Sequence, residues 1–157
     1  MTRRLLLLLA STGLALLAVP ARAADLAIVV NKACGLDNVT SAELTKYFKA
    51  EKTKATDGTK LVIVVQDPGR PERDAALKRI YKMSESEYTD YFVEATFTGA
   101  VTAAPKSLPS SAAVKKFVAD TAGALGYLAS GDTDDSVKIL KVDGHAPGDG
   151  GYPLKLN

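Results

Sequence analysis

Five β-favouring apolar residues, Leu61-Val62-Ile63-Val64-Val65, run unbroken into Gln66-Asp67-Pro68-Gly69-Arg70-Pro71-Glu72-Arg73-Asp74. A short continuous apolar run suits a strand buried on both faces, and such strands belong to sheets covered by helices. The Pro-Gly pair ends the run. Pro71 then fits the first position of a helix, where its missing N–H is one that would be unpaired anyway. A strand passed to a helix through so tight a turn aims the helix's first free N–H groups at one point. Arg70 and Arg73 stand beside that point. The junction suits an anion better than it suits bond-breaking chemistry.

The rest of the chain alternates in the same way. Leu26 to Asn31 (LAIVVN) reads as a first buried strand. Thr40-Ser41-Ala42-Glu43 forms a capping box that opens a helix carrying Leu44, Tyr47 and Phe48. The polar stretch Lys49 to Lys60 turns at Asp57-Gly58 before the Leu61 to Gln66 strand. The helix from Pro71 has the stripe Ala76, Leu77, Ile80 and Tyr81. A second capping box, Ser84 to Glu87, precedes Tyr88, Tyr91, Phe92 and Ala95, so two helices follow in series through Lys82 and Met83.

Phe97 to Pro109 reads as a loop of small residues and breakers, and a further helix begins at about Ser111 with Val114, Phe117 and Val118 inward. Leu125 to Leu128 and Val137 to Val142 read as two more strands. The glycine-rich Gly144 to Gly151 is irregular, with Tyr152-Pro153-Leu154 placed to pin the end to the body. The alternation predicts an α/β domain, a single lobe with a mixed, mainly parallel sheet covered by helices. Ligands of such sheets sit beyond the carboxyl ends of the strands. The loops Asn31 to Gly35 and Gln66 to Pro71 should therefore border the site.

Residues 1–23 have the form of a secretory signal. Arg3 and Arg4 lead, Leu5 to Ala10 and Leu14 to Val19 are apolar, and Ala21-Arg22-Ala23 is an A-x-A cleavage site. An uncleaved anchor is the alternative. Cleavage leaves residues 24–157 as one domain outside the cytoplasm with no membrane anchor. It also removes Arg3, Arg4 and Arg22, taking 20 basic residues to 17 against 18 acidic ones. A near-neutral chain argues against nucleic acid, which calls for a clustered basic face. The single cysteine, Cys34, cannot form an internal disulfide and reads as a small buried apolar residue.

Catalysis finds no constellation. The one histidine, His145, lies in the glycine-rich tail with no nucleophile setting nearby in sequence. Asp132, Asp134 and Asp135 lack the spacing of a calcium loop and read as a solvated turn. No catalytic residue, metal or cofactor is expected. Arg70 and Arg73 read either as ligand contacts or as surface arginines paired with Glu72 and Asp74, acids that also compete for the helix N–H groups. Gly123-Ala124-Leu125-Gly126-Tyr127 reads first as close packing of strand against helix, and second as a way to bring the Tyr127 hydroxyl to a cleft edge. The candidate contacts are Asn31, Gln66, Gly69 through its loop amide, Arg70, Arg73 and Tyr127.

Several stretches resemble the type 2 periplasmic solute-binding proteins, in their phosphate-binding (PstS-like) branch. These are Asn31 with Val39 to Phe48, Leu61 to Arg73, Phe97-Thr98-Gly99, and Phe117 to Tyr127. The last is the most specific, since the family has a helix and then a "pGAIGY" run at that place. The resemblance implies an extracytoplasmic, non-catalytic protein that binds a small anion such as phosphate and works with a membrane transporter. This chain looks like the second of the family's two lobes, in a short single-domain form. It departs from the pattern at Gln66 to Glu72, where the family carries an arginine and a Ser-Gly-Thr run at the helix start. Here those hydroxyls are missing and Pro71 removes a donor. The rival reading is an interaction module that docks its strand-end face on a transporter or a sensor ectodomain. An apolar patch at that face would favour the rival, and a polar hollow would favour the ligand binder.

Overall fold

Both apolar runs become strands of one sheet. The computed structural model describes residues 24–156, so the expected signal at 1–23 lies outside the described residues. The five-stranded sheet has the order β4-β3-β5-β1-β6. Its strands are β1 (Leu26–Val30), β3 (Val62–Gln66), β4 (Lys106–Leu108), β5 (Ala124–Ala129) and β6 (Lys138–Ile139). β3 runs parallel to β4 and β5, while β1 is antiparallel to both β5 and β6. The sheet is thus mixed, with its parallel half around β3. An apolar run reports burial and not direction, because the backbone offers the same donors and acceptors either way round.

All five residues of β1 are fully buried, since successive side chains point to opposite faces and both faces are covered. On one face Leu26, Ile28 and Val30 meet Leu44, Phe48, Tyr81 and Tyr127. On the other Val29 meets Val64, Val114, Val118 and Leu128 under α4 (Ser111–Asp120). β5 crosses beneath α4 at Gly126. A Cβ there would lie 2.8 Å from Val64 Cγ2 and 3.0 Å from Val114 Cγ1. The glycine is a packing requirement, which was the first of its two sequence readings.

The local start signals hold. Thr40 and Glu43 cap α1 (Ser41–Phe48) reciprocally, and Ser84 and Glu87 do the same for α3 (Glu85–Phe97). α2 (Pro71–Ala76) has Pro71 in its first turn. It continues as a π-helical turn over Leu77–Tyr81 and ends at Lys82, whose φ of 56° is left-handed. Cys34 is buried, and Tyr152 pins the tail by donating to the Leu26 carbonyl at 2.8 Å.

Two sequence readings are corrected. The supposed loop Phe97 to Pro109 contains the edge strand β4, which pairs Val64 with Lys106 and Gln66 with Leu108. Lys-Ser-Leu between two prolines has no strand signal of its own, and the exposed edge of β3 recruits it. The expected strand Val137 to Val142 is divided. β6 stays in the main sheet, whereas β7 (Lys141–Val142) pairs in parallel with β2 (Asn38–Val39) in a separate two-stranded ribbon. Leu140, fully buried, sits at the division, and its N–H still donates to the Ile28 carbonyl.

Candidate functional site

The β3–α2 junction forms as expected, but its two arginines part company. Arg70 is the N-cap residue of α2, exposed, with no ion pair among the described residues. Arg73 is 3% exposed and grips the Glu85 carboxylate with both ends of its fork, Nε to Oε2 at 3.1 Å and Nη2 to Oε1 at 2.5 Å. Its guanidinium also stacks on Tyr88, 4.0 Å from the ring centre. Arg73 is a strut between α2 and α3, and its two bonds to Glu85 leave Nη1 outside that pairing. The partner is Glu85, twelve residues on, and neither Glu72 nor Asp74.

Three more candidates prove to be internal fasteners. Asn31 donates from Nδ2 to the Val118 and Ala119 carbonyls, both at 2.9 Å, and accepts the Ala33 N–H. It closes the end of α4 onto β1 and has no donor left for a ligand. Tyr127 is fully buried, and its hydroxyl accepts the Gln66 N–H at 3.1 Å. Burial pushes that hydroxyl up to about 12, against the opposing pull of the Gln66 N–H and of Arg73. The cleft-edge reading of Tyr127 is therefore corrected in favour of packing. Gln66 is fully buried too, its Nε2 donating to Ser111 Oγ at 3.2 Å. Gly69 has a φ of 84°, and this left-handed turn is what glycine is needed for here.

What does gather at the carboxyl ends of β3 and β4 is a shallow hollow of about 450 Å³ bordered by Arg70, Ser110, Ser111, Lys115, Asp132 and Thr133. Ser110 is the N-cap of α4, its side chain accepting the Ala113 N–H at 3.1 Å. Behind the hollow, Ser111 links Gln66 to the buried Glu72, donating toward Glu72 Oε1 at 3.5 Å. Lys115 is balanced by Asp134 at 2.6 Å, an exposed carboxyl held well below its usual range by Lys115 and by Ser136. Of the two cations bordering the hollow, Arg70 is the one with no ion pair among the described residues. Ser110, Ser111 and Lys115 were not singled out from the sequence. Their signal was present in Pro109-Ser110-Ser111, an N-cap pattern opening a ten-residue helix.

Among the described residues no group of His, Cys, Asp and Glu could hold a metal ion, and no helix is long and apolar enough to cross a membrane. His145 is exposed.

No protein-family model matches the chain. It is 32% identical over 137 residues to the phosphate-binding protein PstS of Bacillus subtilis (strain 168), covering 82% of this chain and 41% of that protein. Its fold matches PstS from Borrelia burgdorferi with a TM-score of 0.67 at 16% identity, covering 84% of this chain and 54% of that one. It also matches an ABC-type phosphate transport receptor from Vibrio cholerae, with a TM-score of 0.60 at 19% identity over 79% and 48% of the two chains. The chain therefore spans about half, or less, of the length of these relatives. In sequence and in fold it is PstS-like, resembling the phosphate-binding branch of the type 2 periplasmic solute-binding proteins over that span.

Proposed function

We propose that this chain is an extracytoplasmic solute-binding-type protein that holds a small oxyanion, phosphate first among them, without transforming it, and acts beside a membrane transporter. The names of its relatives, a phosphate-binding protein and a phosphate transport receptor, support that ligand and partner. The observation that carries the reading is Arg70. It is an exposed cation with no ion pair among the described residues, bordering a hollow that the first turn of α4 and Asp132 also line. Positive charge and the unpaired amides of a helix start favour an anion there. Ser110 and Ser111 at this place are engaged with the Ala113 N–H and with Gln66 and Glu72, so Arg70 and the start of α4 carry the reading.

Titration calorimetry with phosphate, sulfate and small carboxylates tests this directly. Arg70→Ala is expected to weaken binding by about 1–3 kcal/mol, the worth of a charge-assisted hydrogen bond. Arg73→Ala should lower the melting temperature while leaving the affinity of the folded protein nearly unchanged. Absence of heat with every anion, or undiminished binding by the Arg70 variant, would end the proposal.

One observation favours a protein-contact surface, though not at the strand-end face that the interaction-module reading named. Phe97 is 92% exposed and Val93 65% exposed on α3, beside an apolar hollow of about 540 Å³ that also takes in Tyr88 and Phe92. Apolar side chains so exposed and so close together are a common mark of protein contact. They lie on α3 and not at the strand ends, so the two readings occupy different surfaces. Phe97→Ser would leave anion binding intact and abolish only capture of a transporter or sensor ectodomain.

A further inference from the structure

At the opposite end of β3 from Arg70 lies another hollow, of about 420 Å³. Strand register explains it. β4 joins β3 only from Val64 onward, and at the start of the strand Thr53 accepts the Leu61 N–H at 2.9 Å while Lys54 bridges Lys60, so the gap on that edge lies beside Val62 and Ile63. The segment from Ala100 to Pro105, with Val101 as its one large apolar side chain, borders the rest of the hollow. Val62 and Ile63 are left half-buried in its wall.

The polar lining is one-sided. Lys52, Lys60 and Lys106 border the hollow and no carboxylate does. Lys52 is matched by Glu43 at 3.2 Å. Lys106 lies over the Phe117 ring, and neither Lys60 nor Lys106 makes an ion pair among the described residues. Tyr47 also lines this hollow. It is 1% exposed, and its hydroxyl has no hydrogen-bond partner. The Lys52 ammonium stands over the Tyr47 ring, 5.1 Å from its centre, and favours the hydroxyl oxygen, which leaves the O–H proton without an acceptor. Buried hydroxyls ordinarily find an acceptor. This one would gain it from a guest.

We propose that the hollow is a second ligand site, for an organic anion that joins one carboxylate to an apolar body. The carboxylate is balanced by Lys60 and Lys106 and accepts from the Tyr47 hydroxyl. The apolar body lies against Leu61, Val62, Ile63 and Val101. An inorganic oxyanion would leave that wall uncovered, and a neutral hydrocarbon would leave two ammonium groups and a hydroxyl unmatched. The site is independent of the Arg70 hollow and of its anion.

Calorimetry and thermal shift with benzoate and octanoate, and with inorganic phosphate as the control, test the proposal. Both organic anions are expected to bind and to raise the melting temperature. Lys60→Glu/Lys106→Glu should weaken them at least tenfold, and Lys60→Ala alone by a smaller factor, a check that does not depend on reversing two charges. Tyr47→Phe should weaken binding several-fold with little loss of melting temperature, because the O–H proton has no acceptor in the unliganded fold. Arg70→Ala should change none of this. The proposal is overturned if neither probe binds at millimolar concentration, if the double variant binds undiminished, or if phosphate alone competes equally for the same lysines. Binding that disappears with Arg70→Ala would overturn it as well.

Discussion

Arg70 and Arg73 stand three positions apart and meet opposite fates. The first ends an extended segment and projects over the strand ends. The second lies one helical turn further on, on the buried side, where Glu85 and Tyr88 close around it. Residue type and spacing bring both to one junction, but which of them is clamped and which stays exposed is decided by α3, which arrives from elsewhere in the chain. Tyr127 shows the same dependence. Tyr127→Phe should cost about 1–3 kcal/mol in urea denaturation, since it strips the buried Gln66 N–H of its acceptor.

Tyrosines also set the alkaline limit. Burial raises Tyr127 to about 12 and moves Tyr81, Tyr88 and Tyr152 upward, whereas unfolded tyrosine titrates near about 10. A pKa raised in the folded state stabilises below the unfolded value and loses that contribution as pH climbs through the folded one. Stability should hold up to about pH 10 and fall between there and about 12. Urea midpoints followed across that range check the expectation, and a flat profile would contradict it.

The elements that announce themselves are those whose signals are local. Both capping boxes form, because each joins residues three apart through a side chain and a backbone N–H. Ser84→Ala should therefore cost about 1 kcal/mol, read from the shift in the urea midpoint, with the loss concentrated at the start of α3 in hydrogen exchange. β4 could not be found this way. Its three residues become a strand only because the edge of β3 is already present, and edge pairing is a property of the neighbour. The division of Val137 to Val142 between the main sheet and a two-stranded ribbon has the same origin. β1 supplies the partner for β6, and β2 supplies the partner for β7.

Across the whole molecule, the sheet holds two hollows at the two ends of β3, one beyond Gln66 and one beside Leu61. Close packing keeps them in place. Gly123 leads into β5 with a φ of 75°, and a Cβ there would collide with the Lys60 carbonyl oxygen. Gly123→Ala should destabilise the fold by about 2–3 kcal/mol through strain and displacement. Because Lys60 borders the second hollow, the same variant should weaken benzoate more than phosphate in calorimetry.

The sequence by itself determined the buried strands, the capped helix starts, the αβ alternation and the strand–turn–helix junction. Each of these rests on the chemistry of residues a few positions apart. Tertiary structure alone decided the direction of β1, the recruitment of β4, and which polar side chains border the strand-end hollow. Asn31, Gln66, Arg73 and Tyr127 were turned inward as fasteners, while Ser110, Ser111 and Lys115 came to stand with Arg70. The physical reason is that a polar group desolvated by packing must take its partner from whatever element lies against it, and no short stretch of chain records which element that will be.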